Sequence, residues 1–303
     1  MRTTANRPPR RYPLVRHICA LAALPLLLAG LLLSGCDIRS GGAGAAHAAS
    51  AVSAIGHVAI TAQDFAFHMP SAVPAGPVEF TFVNQGDQVH QAQFFHLKPG
   101  VTADQFIAAL IAHGPAATRT LGAPWGGIDE TMPHRPVHVI EVMVPGTYVV
   151  ACLVRGSDGM PHYAMGMVGS FTVAGSGSPQ PYAPPDNGTA TLIEMSITLP
   201  AAISTPGEHT FKIVNAGTQV HAFDILQLAP GKTAQDVQTY LNAPSGPPPF
   251  VLLGGTGGSL PASTQWLRTS LTPGNYVAAC LVVDPVTGKP HAAMGMLTAF
   301  TVA

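Results

Sequence analysis

Two stretches of the sequence carry the same metal-binding side chains in the same order. They are ACLVRGSDGMPHYAMGM (151–167) and ACLVVDPVTGKPHAAMGM (279–296). The shared residues are, in the first and second stretch respectively, Cys152 and Cys280, His162 and His291, and Met167 and Met296. Thiolate and thioether are soft ligands and imidazole is a borderline one, so together they favour copper over the hard cations that prefer oxygen. The pattern predicts a metal centre in each stretch.

One further histidine of each half lies upstream. His90 in VNQGDQVHQAQF matches His221 in VNAGTQVHAFDI. Seven other histidines after residue 55 have no counterpart: His57, His68, His96, His113, His134, His138 and His209. Two histidines, one cysteine and one methionine form the ligand set of a blue-copper electron-transfer centre, trigonal His₂Cys with a weak axial methionine. Each half retains two methionines that could take the axial place, Met165 and Met167 in the first and Met294 and Met296 in the second.

Structural roles are the alternative for each of these residues taken singly. A lone buried cysteine is usually a small core residue, and paired methionines usually pack in a core. Two cysteines in an oxidising compartment ordinarily form one disulfide. The joint retention of all four residue types in both halves favours metal binding, and equivalent positions in separate domains argue against a disulfide.

The matching halves indicate a tandem duplication. Residues 80–106 match residues 211–237 without a gap, and VPGTYVVACLV matches TPGNYVAACLV. The stretch GSGSPQPYAPPDNG (175–188) is rich in Gly, Ser and Pro, which is typical of a linker. We therefore predict one domain at 56–174 and a second at 189–303.

Each predicted domain is mainly β. The segments VEFTFVN, HVIEVMV, TYVVACLV and GSFTV are rich in Val, Phe and Thr, and Pro-Gly pairs separate them as turns. One helix per domain is predicted to begin at Thr102 and at Thr233, where a polar residue three positions later completes a capping pattern. The predicted fold class is all-β, with two tandem Greek-key β-sandwich domains and one short helix in each.

The sequence resembles the cupredoxin family, which includes plastocyanin, azurin and the blue-copper domain of copper nitrite reductases. Asn84 with His90, and Asn215 with His221, resemble the strand and loop that carry the family's first histidine ligand. PGTYVVAC and PGNYVAAC resemble the strand that delivers the thiolate, and PHYAMGM and PHAAMGM resemble the segment with the second histidine and the axial methionine. The resemblance implies one type 1 copper ion per domain, with Met167 and Met296 as the axial residues and Met165 and Met294 as the alternatives.

The sequence departs from the family in one loop. Nine residues separate Cys152 from His162 and ten separate Cys280 from His291. Compact members of the family have two to four at this point, and the nitrite reductases have a loop of nearly this length.

The N-terminus has the features of a lipoprotein signal peptide. Five arginines precede the apolar run ICALAALPLLLAGLLLSG, and the segment LSGC places Cys36 at a position that resembles a lipidation site. An uncleaved membrane anchor is the alternative. We predict a signal peptide at 1–35, lipidation of Cys36 and a flexible tether at 36–55. Either reading places the protein outside the cytoplasm, in the periplasm or on the outer face of the cell membrane.

The charge argues against nucleic acid as a partner. Residues 1–35 hold five of the 14 Lys and Arg and none of the 15 Asp and Glu, so the remaining chain has a formal net charge of −6.

A membrane-anchored electron carrier is the function that the sequence favours. Its expected partners are redox proteins such as cytochromes or a respiratory complex. The alternatives are a copper sequestration or delivery protein of the envelope, and a metal-free cupredoxin-like binding module. The chain contains no His-x-His and no histidine beside either ligand cysteine, so the sequence predicts that it is not a copper oxidase or nitrite reductase.

Overall fold

The structure is a computed structural model that describes residues 55–175 and 182–303. The predicted signal peptide, Cys36 and nearly all of the tether lie outside the described residues. Among the residues that are described, no helix is both long enough and apolar enough to cross a membrane.

Strands dominate both halves. In the first half they are β1 (Gly56–Gln63), β2 (Ala66–His68), β3 (Ala72–Val73), β4 (Gly76–Asn84), β5 (His90–Leu97), β6 (Gly122–Thr131), β7 (Pro136–Met143), β8 (Gly146–Ala151) and β9 (Val168–Val173). In the second half they are β10 (Thr189–Ile193), β11 (Ser196–Thr198), β12 (Gly207–Asn215), β13 (His221–Leu228), β14 (Phe250–Ser259), β15 (Thr264–Leu271), β16 (Gly274–Ala279) and β17 (Leu297–Val302).

Helices are short and few in the described ranges. The α-helices are α1 (Ala103–His113) and α2 (Ala234–Asn242). The 3₁₀ helices span Pro115–Thr120, His162–Met165, Ala201–Ser204 and His291–Met294.

The strands of the described residues form two sheets that each run through both halves. One has eight strands in the order β11-β10-β12-β15-β7-β4-β1-β2, and the other has nine in the order β17-β16-β13-β14-β6-β5-β8-β9-β3. Two antiparallel pairs join the halves: β15 with β7, where Trp266 faces Ile140, and β14 with β6, where Thr256 faces Ile128. The halves therefore share one compact unit.

The core lies between the two sheets. Strand β4 alternates so that Phe80 and Phe82 point inward and are fully buried. The ring of Phe80 on one sheet lies 4.9 Å from that of Phe94 on the other, in an edge-to-face arrangement. Burial of each such ring contributes about 1.5–3 kcal/mol. Alternate side chains of the strands thus point into the space between the sheets, and their burial stabilises the sandwich.

Both helices begin where the sequence predicts. The Thr102 hydroxyl accepts a hydrogen bond from the Gln105 N–H, and the Gln105 side-chain oxygen accepts one from the Thr102 N–H. Thr233 and Asp236 form the same reciprocal cap on α2. Each cap satisfies two amide donors that the first turn would otherwise leave free. Helix α1 then buries Phe106 and Leu110, one turn apart, on the outer face of the nine-stranded sheet.

The predicted all-β class with one short α-helix in each half is confirmed. The boundaries at 56–174 and 189–303, and the duplication itself, stay predictions. The structure adds that continuous sheets join the two halves, which the linker-like composition of 175–188 did not suggest.

Candidate metal centre

The first group of ligands comes together where neighbouring strands end. His90 is the first residue of β5, and Cys152 directly follows β8, its antiparallel neighbour. The strand that ends at the cysteine therefore delivers it beside the strand that begins at the histidine. His162 opens the 3₁₀ helix His162–Met165, and its N–H donates to the Val154 carbonyl at 2.9 Å.

The three ligand atoms of this group form a triangle. His90 Nδ1 and His162 Nδ1 lie 3.1 Å apart, and Cys152 Sγ lies 3.9 Å from the first and 3.4 Å from the second. A point equidistant from all three lies about 2 Å from each, which is the length of a metal–imidazole bond. All three side chains are fully buried. The triangle fits one copper ion in a trigonal His₂Cys arrangement.

The second group repeats this geometry. His221 is the first residue of β13, Cys280 follows β16, and His291 opens the 3₁₀ helix His291–Met294. The Nδ1–Nδ1 distance is 3.2 Å, and Cys280 Sγ lies 3.8 Å from His221 Nδ1 and 3.5 Å from His291 Nδ1. The second triangle also fits one copper ion. The role of each residue as a ligand stays a prediction until metal is loaded.

The long loops are closed at their base and leave the triangles intact. In the first, Arg155 pairs with Pro161, and the Gly156 N–H donates to the Met160 carbonyl at 2.9 Å. In the second, Val283 pairs with Pro290, and the Asp284 N–H donates to the Lys289 carbonyl at 2.9 Å. The extra residues therefore form a small projection that returns each histidine next to its cysteine.

The candidate axial methionines differ in their surroundings. Met167 and Met296 are fully buried in the core, and the N–H of each donates to the carbonyl of the histidine five residues earlier, at 3.0 Å. Met165 is only half-buried. The sulfur of Met294 lies 3.4 Å from the Thr287 hydroxyl, which donates to it. The assignment of Met167 and Met296 as axial residues stays a prediction.

Two asparagines hold the loops in front of the first histidines. Asn84 donates to the Gln88 and Thr131 carbonyls at 2.7 and 2.8 Å, and its oxygen accepts from the Gly86 N–H. Asn215 makes the matching bonds to the Gln219 and Ser259 carbonyls and from the Gly217 N–H. This accounts for an asparagine six residues before each histidine.

Backbone amides point at both sulfurs. The Gln91 N–H donates to Cys152 Sγ at 3.4 Å, and the Ala222 N–H donates to Cys280 Sγ at 3.3 Å. Donors of this kind stabilise a thiolate. The Gln91 side chain also accepts from the Leu153 N–H at 3.0 Å, which ties β5 to the loop after the cysteine. Sequence comparison of the halves misses Gln91, because an alanine occupies its position in the second half.

Both cysteines are free, and burial raises the pKa of each thiol to about 12. Metal binding must therefore displace a thiol proton. Burial also lowers the pKa of His162, His221 and His291, with the neighbouring imidazole adding to the effect at His162 and His291. These histidines are neutral at neutral pH, as ligation requires.

A carboxylate lies behind the first histidine of each group. Asp64 Oδ1 is hydrogen-bonded to His90 Nε2, and Glu194 Oε1 lies 3.5 Å from His221 Nε2. A partner at Nε2 orients the ring and leaves Nδ1 to face the metal. Sequence analysis missed both residues. Their separation of 130 positions, close to the repeat offset of 131, is the signal that could have found them.

No family model matches the sequence, and no curated protein matches it. Among solved structures, the chain is similar to auracyanin A, a "blue" copper protein from Chloroflexus aurantiacus, with 24% identity over 40% of this chain and 99% of that one and a TM-score of 0.27. It is also similar to a copper nitrite reductase from Nitrosomonas europaea, with 15% identity over 82% and 94% of the two chains and a TM-score of 0.23. A multicopper oxidase has 15% identity over 82% and 89% and a TM-score of 0.25.

The prediction that the chain is not a copper oxidase or nitrite reductase is wrong, because it excluded these enzymes from the sequence alone. The solved structures to which the chain is similar include a multicopper oxidase and copper nitrite reductases. The prediction used motifs of adjacent residues, whereas a fold assembles sites from residues far apart in sequence. His90 and Cys152 are themselves such a pair.

Proposed function

We propose that the protein carries single electrons through two type 1 copper centres, one in each half, on the outer side of the cell membrane. The observation that supports this most strongly is the pair of buried triangles, each with two Nδ1 atoms and one Sγ about 2 Å from a common point. A bound copper ion would supply the Cu(II)/Cu(I) couple. Redox partner proteins such as cytochromes are the proposed donors and acceptors, and a lipid on Cys36 is the proposed anchor.

The residues of the chain keep the ligand set in place in both redox states. His90, His221 and the two cysteines lie at strand ends of one hydrogen-bonded sheet, and each second histidine opens a 3₁₀ helix in the loop after its cysteine. The asparagines hold the loops in front of the first histidines. Soft sulfur stabilises Cu(I) and imidazole accepts Cu(II). A rigid site that accepts both ions reorganises little when an electron arrives or leaves, which is what an electron carrier requires.

Copper loading tests the proposal. Purified protein loaded with Cu(II) is expected to bind two ions per chain and to show intense thiolate-to-copper absorption in the visible range. Cys152→Ala and Cys280→Ala should each remove one ion and about half of this absorption, and the double variant should remove both. Metal analysis and visible spectroscopy provide the measurement.

Met160→Leu is the matched control, because Met160 lies in the first loop but is 48% exposed. It should leave the stoichiometry and the spectrum unchanged. A protein that takes up no copper and stays colourless contradicts the proposal. Tight Cu(I) binding without reversible oxidation supports copper sequestration instead.

The axial ligand can be tested separately. Met167→Leu is expected to shift the reduction potential and the visible spectrum of the first centre, because it removes a buried thioether, and the axial ligand tunes the potential of such sites. Met165→Leu should leave both unchanged, because Met165 is half-buried and outside the core cluster. Spectroelectrochemistry of the Cys280→Ala protein isolates the first centre. The reverse pattern would assign the axial role to Met165.

A further inference from the structure

We propose that the two centres have different reduction potentials and that the first is the lower, because Asp64 is hydrogen-bonded to His90 whereas Glu194 is drawn away from His221. This inference rests on the proposed function, since it concerns copper bound at both triangles. It assigns Asp64 and Glu194 as positioning residues that act through the histidines.

The contact at the first centre is tightly built. Asp64 Oδ1 is hydrogen-bonded to His90 Nε2, while Asp64 Oδ2 accepts from the Asp87 N–H at 3.1 Å. Gly86 lies against this pair, and a Cβ placed there would come within 2.3 Å of the carboxylate and 2.7 Å of the imidazole. The glycine leaves the space in which Asp64 and His90 meet. The loop thus holds the carboxylate on the ring.

The second centre has the same parts in a different arrangement. Glu194 Oε1 is 3.5 Å from His221 Nε2, and that nitrogen is fully buried without a hydrogen-bond partner among the described residues. The same carboxylate oxygen accepts from both the backbone and hydroxyl of Thr218 and, at 2.8 Å, from the Gln219 N–H. Glu194 is one methylene longer than Asp64. Three donors therefore bind Glu194 Oε1, whereas the corresponding oxygen of the first centre, Asp64 Oδ1, is hydrogen-bonded to the His90 ring.

The difference alters how strongly each histidine donates to a metal. An imidazole whose N–H is bonded to a carboxylate is a more basic ligand, and such partners commonly change metal affinity by about 10–100-fold. A more basic nitrogen stabilises Cu(II) more than Cu(I), which lowers the potential. We therefore expect Cu(II) to be favoured at the first centre.

The remaining acidic groups near the ligands largely match. Each second histidine has two acidic residues close enough to influence it electrostatically, Asp64 and Asp158 at His162 and Glu194 and Asp284 at His291. The buried Asp129 lies near both cysteines, with Glu130 towards Cys152 and Asp224 towards Cys280. The two first histidines differ in their carboxylate partner, because His90 Nε2 has the hydrogen bond to Asp64 and His221 Nε2 has no hydrogen-bond partner among the described residues. One electron supplied to the fully oxidised protein by an external one-electron donor should then reduce Cu(II) to Cu(I) at the second centre, while the first stays Cu(II).

Single-centre proteins allow a direct test. Cys280→Ala leaves the first centre and Cys152→Ala leaves the second, and spectroelectrochemical titration gives the potential of each. We expect the first to favour Cu(II) at least tenfold more than the second, which corresponds to about 59 mV for one electron. Asp64→Asn should raise the reduction potential of the first centre towards that of the second. Asp64→Glu keeps a carboxylate, so its potential should lie between those of the wild-type first centre and the Asp64→Asn variant. Glu194→Gln should cause a smaller shift.

Equal potentials in the two single-centre proteins would overturn the inference, as would Asp64→Asn with copper retained and no change in potential. A protein that binds no copper instead contradicts the proposed function. Nitrogen-15 NMR of metal-free wild-type protein gives a readout that needs neither copper nor a variant. A strongly hydrogen-bonded Nε2–H is expected on His90 and not on His221, and its presence on both rings, or on neither, also overturns the inference.

Discussion

Gly127→Ala is expected to destabilise the protein by about 3–6 kcal/mol, which is a large share of the stability of an ordinary domain. Gly127 has φ of +97°, a conformation that L side chains rarely adopt. A Cβ at this position would lie 2.2 Å from the Ala92 carbonyl and 3.0 Å from the Phe94 ring. Backbone strain and a clash with the neighbouring strand would therefore add together. Because β5 also carries His90, copper binding at the first triangle should weaken as well.

Gly100→Ala is the matched control for this prediction. Gly100 has φ of +83°, but a Cβ there would meet no atom within 4 Å. It should lose only about 1–2 kcal/mol through backbone strain. Urea unfolding of both variants measures the difference. Equal losses would show that the close approach of β5 and β6 does not contribute.

Wild-type protein is expected to lose stability as the pH rises from 6.5 to 8.5, and Glu141→Gln is expected to remove much of this loss. Glu141 is 2% exposed, and its Oε1 accepts from the Gly127 N–H at 2.7 Å and from Gln265 Nε2 at 2.6 Å. Burial raises the pKa of this carboxyl to about 8. A glutamine can accept the same two hydrogen bonds without ionising.

The direction follows from proton binding. Between the ordinary pKa of 4.5 and about 8, the native state keeps a proton on Glu141 that the unfolded chain has released. The native state therefore binds more protons, and the free energy of unfolding falls with rising pH. The full effect is on the order of 5 kcal/mol, and about 2 kcal/mol of it falls between pH 6.5 and 8.5. The histidines with lowered pKa oppose this effect near pH 6.5, because the unfolded chain still binds part of their protons there, and their contribution fades about one pH unit higher.

Two further buried carboxyls, those of Asp129 and Asp224, also lower the free energy of unfolding as the pH rises. Burial raises the pKa of Asp129 to about 6, and burial with the nearby charge of Asp129 raises that of Asp224. The oxygens of Asp224 have no hydrogen-bond partner in the described part of the chain. Some pH dependence should therefore remain in Glu141→Gln. Glu208→Gln, which changes an exposed carboxyl, should leave the profile unaltered, and chemical unfolding at each pH provides the data. A flat wild-type profile would contradict the prediction.

Local signals in the sequence account for the elements. The alternation in VEFTFVN predicts a strand with two buried rings, and β4 buries Phe80 and Phe82. Thr102 and Thr233 predict helix starts, because a cap involves residues only three positions apart. The repeated order of histidine, cysteine, histidine and methionine predicts the two ligand groups, because both halves retain the same four residue types at matching positions.

Tertiary structure alone decided three features. The joining of the halves through β6 with β14 and through β7 with β15 depends on pairing between strands more than 120 residues apart, which a linker-like composition does not reveal. The closure of the two long loops at their base depends on contacts between residues that the sequence separates. The same is true of the positions of Asp64 and Glu194 beside the Nε2 atoms of His90 and His221. The sequence by itself determined which side chains are present twice and in which order. Only the packed sheets decided that three of them converge on one point, because convergence is a property of distances between residues that the chain separates.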